Sequence, residues 1–213
     1  MSDYVELTGM ILKTSPVGDY NKRLVILTAE AGKITAFARG ARKQGNKFLG
    51  TTEPFCFGTF RLYEGRDAYS LADIEITRHF EELRSDYDLT VLASYFLEIA
   101  DYYTRENMEA YEELNLMYAS LLALIGGKFD HRLIRCIYEI KSLVIAGEYP
   151  GIPHALKLSN TAVYTIDRVA SSSVHNLYTF AVSDEVVSEI ERVCKQLMQK
   201  TIDRHFNSVK LME

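Results

Sequence analysis

A chain of 213 residues with 47% hydrophobic and 25% charged side chains, free of low-complexity tracts, can bury a core as one domain or two small ones, which excludes a disordered polymer. No apolar run approaches the roughly 20 residues that a membrane-spanning helix needs, and the start Met1-Ser2-Asp3-Tyr4-Val5-Glu6 lacks the basic and apolar stretches of a signal peptide, so a cytoplasmic protein without a membrane partner is expected. The formal charge of −5 speaks against a nucleic-acid binder, yet residues 1–80 hold 11 Lys/Arg against 9 Asp/Glu while residues 81–213 hold 13 against 20, so the two parts differ in sign.

The first 80 residues read as short strands separated by turn signals. Residues 7–14 end at Ser15-Pro16-Val17-Gly18, where proline presets φ and glycine accepts a positive one. Residues 22–28 follow, and Glu30-Ala31-Gly32-Lys33 turns the chain into residues 34–39. A glycine-rich connection, residues 40–50, leads to a second hairpin made of residues 54–63 and 68–77 around Glu64-Gly65-Arg66-Asp67. Five strands with one long connection predict an OB-like barrel. From Asp86 the apolar period changes to 3.6. Leu89, Leu92, Ala93, Phe96, Ala100 and Tyr103 share one helical face, and Leu114, Met117, Leu121, Leu124 and Ile125 share another. Asp130 is placed to cap a third helix, which stops at Gly147 with Pro150 beyond it. Residues 151–182 show weak periodicity and no assignable element. Ser183-Asp184-Glu185 then begins a last helix through Val187, Ile190, Cys194 and Leu197. The predicted class is α+β: an OB barrel over residues 1–80 and a helical domain over 81–213 with an irregular insert around 151–182.

The most informative stretch is Ala38-Arg39-Gly40-Ala41-Arg42-Lys43-Gln44-Gly45-Asn46-Lys47-Phe48. Five cations (Lys33, Arg39, Arg42, Lys43, Lys47) lie between Ala31 and Thr52 without one acid. Such cations can neutralise successive phosphates, and the aromatics Phe37, Phe48 and Tyr63 can stack on unpaired bases. The competing reading is a solvated, flexible loop. Catalytic signatures are missing: there is no GxxxxGK[ST], no GxSxG, and the five histidines have no metal-ligand spacing. Cys56, Cys136 and Cys194 are odd in number and widely separated, giving neither a disulfide framework nor a CxxC metal pair. The residues therefore favour binding over catalysis.

Thr8-Gly9-Met10-Ile11-Leu12, Gly18 with Arg23, Gly32-Lys33, Ala38 to Lys43, Lys47-Phe48, Gly50 and Pro54-Phe55 resemble the OB domain of the RecO family in order and spacing. The stretch from Arg135 to Lys141 with the exit Gly147-Glu148-Tyr149-Pro150 is similar to that family's central helix. The resemblance implies a non-enzymatic, nucleoid-associated recombination mediator in DNA repair. Such a protein binds single-stranded DNA, anneals complementary strands, helps exchange single-strand-binding protein for recombinase, and works with the partner RecR. Read onto this chain, the DNA-contacting residues are Arg23, Lys33, Arg39, Arg42, Lys43, Lys47 and Phe48. Many members carry a zinc site of two CxxC pairs after the central helix. Residues 151–182 here contain no cysteine, so neither zinc nor any other cofactor is expected.

The acidic, hydrophobic-ended tail of single-strand-binding protein needs an apolar pocket beside cations. Arg132, Arg135 and Lys141 share a helical segment with Leu133, Ile137 and Leu143, which places Arg132, Arg135, Ile137 and Lys141 in a candidate tail-binding groove. The opposing reading has those apolar side chains consumed by the core. Two other functions stay open on residues alone: a protein-interaction scaffold without direct DNA contact, and an enzyme built from scattered Asp/Glu or Cys/His groups.

Overall fold

The computed structural model describes residues 4–212, so Met1, Ser2 and Asp3 of the start read above lie outside it. The chain forms two compact units. The first takes the chain up to Glu81 together with Ala100–Leu114, and the second takes Glu82–Ile99 together with the chain from Asn115 onward.

The first unit is built on five strands: β1 (Val5–Val17), β2 (Asn21–Thr28), β3 (Gly32–Ala38), β4 (Phe57–Tyr63) and β5 (Tyr69–Arg78). They close into a barrel in the order β1-β2-β3-β5-β4. Every pairing is antiparallel except β3 with β5, which run parallel through Ala36↔Tyr69 and Phe37↔Ser70. This is the OB-fold that the strand pattern predicts. Strict alternation makes the core: Ile34, Ala36 and Ala38 of β3 point inward beside Leu24, Ile26 and Phe60, while Lys33, Thr35 and Phe37 face outward.

The largest differences from the sequence reading are at the end of β1 and the start of β4. β1 does not stop at Thr14 but continues past Pro16 to Val17, because β2 pairs with it as far as Val17↔Asn21. β4 pairs with β1 only from Val5 to Met10, so Pro16 falls where β1 has no second neighbour and its missing N–H costs little. Residues 54–56 belong to the connection, and β4 begins at Phe57. The side chain of Phe48, within that connection, is only 6% exposed and packs in the barrel core with Ala41 and Cys56.

The segment following the first long helix joins the barrel through backbone bonds. Ala110 N donates to Ala29 O at 2.8 Å, Asn107 N to Ala31 O at 3.0 Å, and Lys33 N to Arg105 O at 3.0 Å. The strap lies so close to the β2–β3 turn that a Cβ at Gly32 would stand 2.2 Å from Arg105 O and 2.4 Å from Met108 O. Gly32 also has φ +67°, a conformation that L side chains rarely adopt.

The helices are α1 (Glu81–Arg84), α2 (Tyr87–Tyr103), α3 (Tyr111–Gly126), α4 (His131–Ile145), α5 (Asn160–Ser171), α6 (Asp184–Thr201) and α7 (Val209–Met212). Asp130 caps α4 as its position predicts, accepting from Arg132 N at 2.8 Å. In the second unit α4 is the central element: Leu133, Ile134 and every residue from Cys136 to Leu143 are buried, so both polar and apolar faces are covered. Tyr138 stacks on Phe96 at 4.1 Å between ring centroids and donates to Phe96 O at 2.9 Å. The stretch 151–182, unassigned from sequence, contains α5 and one 3₁₀ turn at Val174–Asn176. Its buried face is Ala162, Thr165, Ile166 and Val169, two of them small or polar, which is why the apolar period is faint. No helix among the described residues is long and apolar enough to cross a membrane.

Two substitutions test this frame by urea unfolding followed by circular dichroism. Gly32→Ala should destabilise the barrel by at least about 2 kcal/mol, combining the disfavoured φ with displacement of the strap. Phe48→Ala should cost about 3 to 5 kcal/mol as a cavity in the core, and an unchanged transition would show that Phe48 does not anchor its loop.

Candidate nucleic-acid interface

Residues 39–56 leave β3 as a run of tight turns rather than a loose loop. Lys43 N donates to Gly40 O at 2.9 Å, Asn46 N to Lys43 O at 3.1 Å and Leu49 N to Asn46 O at 3.0 Å. Buried Ala41 and Phe48 fix two points of this run in the barrel core, and Phe55 N returns the chain to Ile11 O at 3.0 Å. With Ala41 held inward, the neighbouring Arg39, Arg42 and Lys43 are left exposed. The run is also tied to the β1–β2 turn: Arg42 N donates to Tyr20 O at 2.9 Å, Arg42 Nη1 to Gly18 O at 3.2 Å, and Gly40 N to Asn21 Oδ1 at 2.9 Å.

Between the two lies a cleft of about 560 Å³ lined by Asp19, Tyr20, Asn21, Arg39, Gly40, Lys43 and Asn46. Tyr20 is 52% exposed, and Lys43 Nζ stands 4.9 Å from its ring centroid. Among the described residues, none of Arg23, Arg39, Arg42 and Lys43 forms an ion pair. Arg23 lies on the outer face of β2, directly across from Phe37 of β3, and its Nη2 reaches Thr35 Oγ1 at 3.4 Å. The sequence reading missed Tyr20. Its signal was an aromatic inside a turn, two residues after Gly18, which carries meaning only once that turn and the basic connection are known to meet.

Three expected contact residues are committed elsewhere. Phe48 belongs to the core and presents no free ring face for a base. Lys47 pairs with Asp73 at 2.8 Å and donates to Ala72 O at 3.1 Å, and its hydrogen bond holds the Asp73 carboxyl below the usual range. Lys33 bonds to the Asp101 carboxylate at 3.0 Å and to its carbonyl. Both acids lie far along the chain, so the acid-free stretch of sequence is not acid-free in space. Exposed pairs such as Lys47–Asp73 contribute at most about 1 kcal/mol and remain exchangeable.

The groove expected on α4 does not form from the residues assigned to it. Ile137 is 2% exposed and sits in the core. Lys141 is buried and donates to Ala170 O at 3.2 Å and Ser172 O at 2.7 Å, where it satisfies the carbonyl end of α5. Arg132 pairs with Asp130 at 2.9 Å, with Glu191 at 3.5 Å and with Asp184. Arg135 Nη2 pairs with Glu191 at 2.7 Å. These side chains tie α4 to its neighbouring helices.

One convergence was hidden by sequence distance. Cys136 and Cys194, 58 positions apart, meet inside the second unit, where Cys194 Sγ lies 3.8 Å from Cys136 O. Glu139 joins them, and the three ligand atoms all lie within 4.8 Å of one another. Burial raises the Glu139 carboxyl above its ordinary value, against the pull of Arg135 and Tyr95. Cys56 belongs to the first unit, where its Sγ lies 3.6 Å from His79 Nδ1.

Against known proteins, the family model described as Recombination protein O N terminal matches residues 1–80, and that described as Recombination protein O C terminal matches residues 84–152. The DNA repair protein RecO of Acetivibrio thermocellus is 22% identical over 243 aligned residues, spanning 99% of this chain and 97% of its own. That of Clostridium novyi is 25% identical, spanning 95% of this chain and 91% of its own. That of Clostridium acetobutylicum is 34% identical over 160 residues, 73% of this chain and 64% of its own. With both halves of the family pattern matched in order, and a five-stranded barrel preceding the helices, the chain belongs to the RecO family of DNA repair and recombination proteins.

Proposed function

We propose that the chain binds single-stranded DNA without catalysing a reaction, in the cleft between the β1–β2 turn and the turns that follow β3. The observation that carries the reading is Tyr20, an exposed ring beside Lys43 Nζ, surrounded by Arg39, Arg42 and, on the adjoining outer face, Arg23. Phosphates need cations that are not already spent on carboxylates, and bases need an accessible π-face. Both are present here, on the strand 2–3 face and the first inter-strand loop that OB folds commonly use for oligonucleotides. The cleft lining has no nucleophile-base pair, which agrees with a binding role.

Family membership extends the reading. A protein that holds single strands with bases stacked and phosphates neutralised can bring complementary strands together. It can also act where single-strand-binding protein is exchanged for recombinase, with RecR as partner. The internal engagement of Ile137 and Lys141 speaks against α4 as the seat of an acidic tail. A scaffold role without DNA contact is the second reading, favoured by the overall charge of −5.

Fluorescence polarisation with labelled single-stranded DNA over a salt series separates the two. Four contributing cations at roughly 0.7 each predict a slope of log K against log salt near −3. Replacing Arg39, Arg42 and Lys43 together by alanine should flatten the slope to about −0.7. Tyr20→Ala should weaken binding by about 1 to 3 kcal/mol, while Tyr20→Phe retains most of the affinity. No binding at low salt would establish the scaffold reading, and wild-type behaviour of both the triple and the Tyr20→Ala variants would remove this site.

A further inference from the structure

We propose that Cys136, Glu139 and Cys194 form a structural site for a thiophilic divalent cation, zinc above all, inside the helical unit. The site is distinct from any cysteine cluster after the central helix, since it is built on α4 and α6 themselves. Cys136 and Glu139 are three positions apart on α4, so they project from one side of that helix, and Cys194 completes the trio from α6. Two ligands at i, i+3 on one helix facing a third from a neighbour is the way helical bundles hold metal ions in their interiors.

The distances fit with little movement. All three ligand atoms already lie within 4.8 Å of one another. Zinc bound to sulfur at about 2.3 Å and to oxygen at about 2.0 to 2.2 Å places tetrahedral ligand atoms roughly 3.5 to 3.8 Å apart. Rotamer adjustments of about 1 Å close the gap. Two thiolates and an oxygen form a donor set that suits zinc and disfavours magnesium or calcium, which take oxygen alone.

Charge and surroundings agree. Two thiolates and one carboxylate carry three negative charges; a divalent cation offsets two, and Arg135, which also pairs with Glu191, lies beside the carboxylate. Arg135 Nε lies 3.8 Å from Glu139 Oε1, and that buried nitrogen has no hydrogen-bond partner among the described residues. Tyr95 Oη donates to the same Oε1 at 2.8 Å. Both partners therefore meet one carboxylate oxygen, and the carboxyl also lies within hydrogen-bonding reach of Cys194. A carboxylate oriented by an outer hydrogen bond is the usual support of a ligand around zinc. Cys136 is 0%, Cys194 1% and Glu139 5% exposed, so the three ligands are shut off from bulk water. Such shielding fits a structural ion, taken up as the helices close and stabilising the fold that encloses it.

The test uses the full chain, stripped with a chelator and then titrated with zinc or cobalt. We expect one equivalent per chain that survives dialysis, a thiolate-to-cobalt charge-transfer band in the near ultraviolet, and a higher thermal midpoint with zinc than without. Cys56→Ser should keep all three signals. Cys194→Ser and Cys136→Ser should lose the charge-transfer intensity and bind zinc at least tenfold more weakly. Tyr95→Phe should weaken zinc binding about tenfold or more through loss of the outer hydrogen bond. If a cysteine variant fails to fold, the wild-type titration decides alone. A stripped wild-type chain that takes up neither ion and keeps its thermal midpoint would overturn the site, and so would a signal that disappears with Cys56.

Discussion

Burial of Phe48 in the barrel core determines where the cations of residues 39–43 can be. A connection of this length between two strands has considerable conformational freedom, and an exposed basic loop would spread its charge over a wide volume. With Phe48 and Ala41 packed among Ile26, Phe60 and Leu62, the intervening backbone has little choice but to fold into successive short turns. Those turns then meet the β1–β2 turn through Arg42 and Gly40. The cleft, the position of Tyr20 and the outward direction of Lys43 follow from one hydrophobic anchor. Apolar burial is the large energy here, and the hydrogen bonds at the surface select among the loop conformations that it permits.

The electrostatics follow the same division of labour. A cation contributes to phosphate binding according to what it gives up, and Lys47 and Lys33 already have carboxylates at 2.8 and 3.0 Å. Arg39, Arg42, Lys43 and Arg23 have none among the described residues, so a phosphate meets them without having to displace a carboxylate. Net charge is a poor guide under these conditions. At physiological ionic strength, exposed charges more than about 8 Å away are largely screened. The total of −5 therefore does not set the potential beside Tyr20, where the charges close at hand are Asp19, Arg39 and Lys43.

The barrel was legible because alternation and turn chemistry are local. Ile34, Ala36 and Ala38 mark their strand, Asp130 announces its helix, and the family resemblance rests on the same stretch that carries the basic cluster. What could not be read depends on residues far apart in the chain. Lys47 finds Asp73 and Lys33 finds Asp101 only after the barrel and its strap have formed. Phe48 follows four basic or polar residues and looks like an exposed aromatic, because alternation ceases in a turn and no period says which way it points. Tyr20 and Lys43 become neighbours through the pairing of two loops that no one-dimensional window contains.

The helical unit shows the same limit in sharper form. A helix buried on every side cannot be oriented from its apolar stripe, since the polar residues are inside as well. In α4 those polar residues are each answered by a neighbour: Lys141 by the carbonyl end of α5, Arg135 by Glu191 of α6, and Glu139 by Tyr95 of α2. Each would leave an uncompensated charge or donor in a low-dielectric interior if its partner were removed, a loss larger than the pair itself contributes. The polar residues of α4 therefore specify which helices pack where, while the apolar ones supply the energy. A Glu placed beside two thiols in such a helix is a more demanding choice than a Leu would be, and a cation bound among them removes that demand.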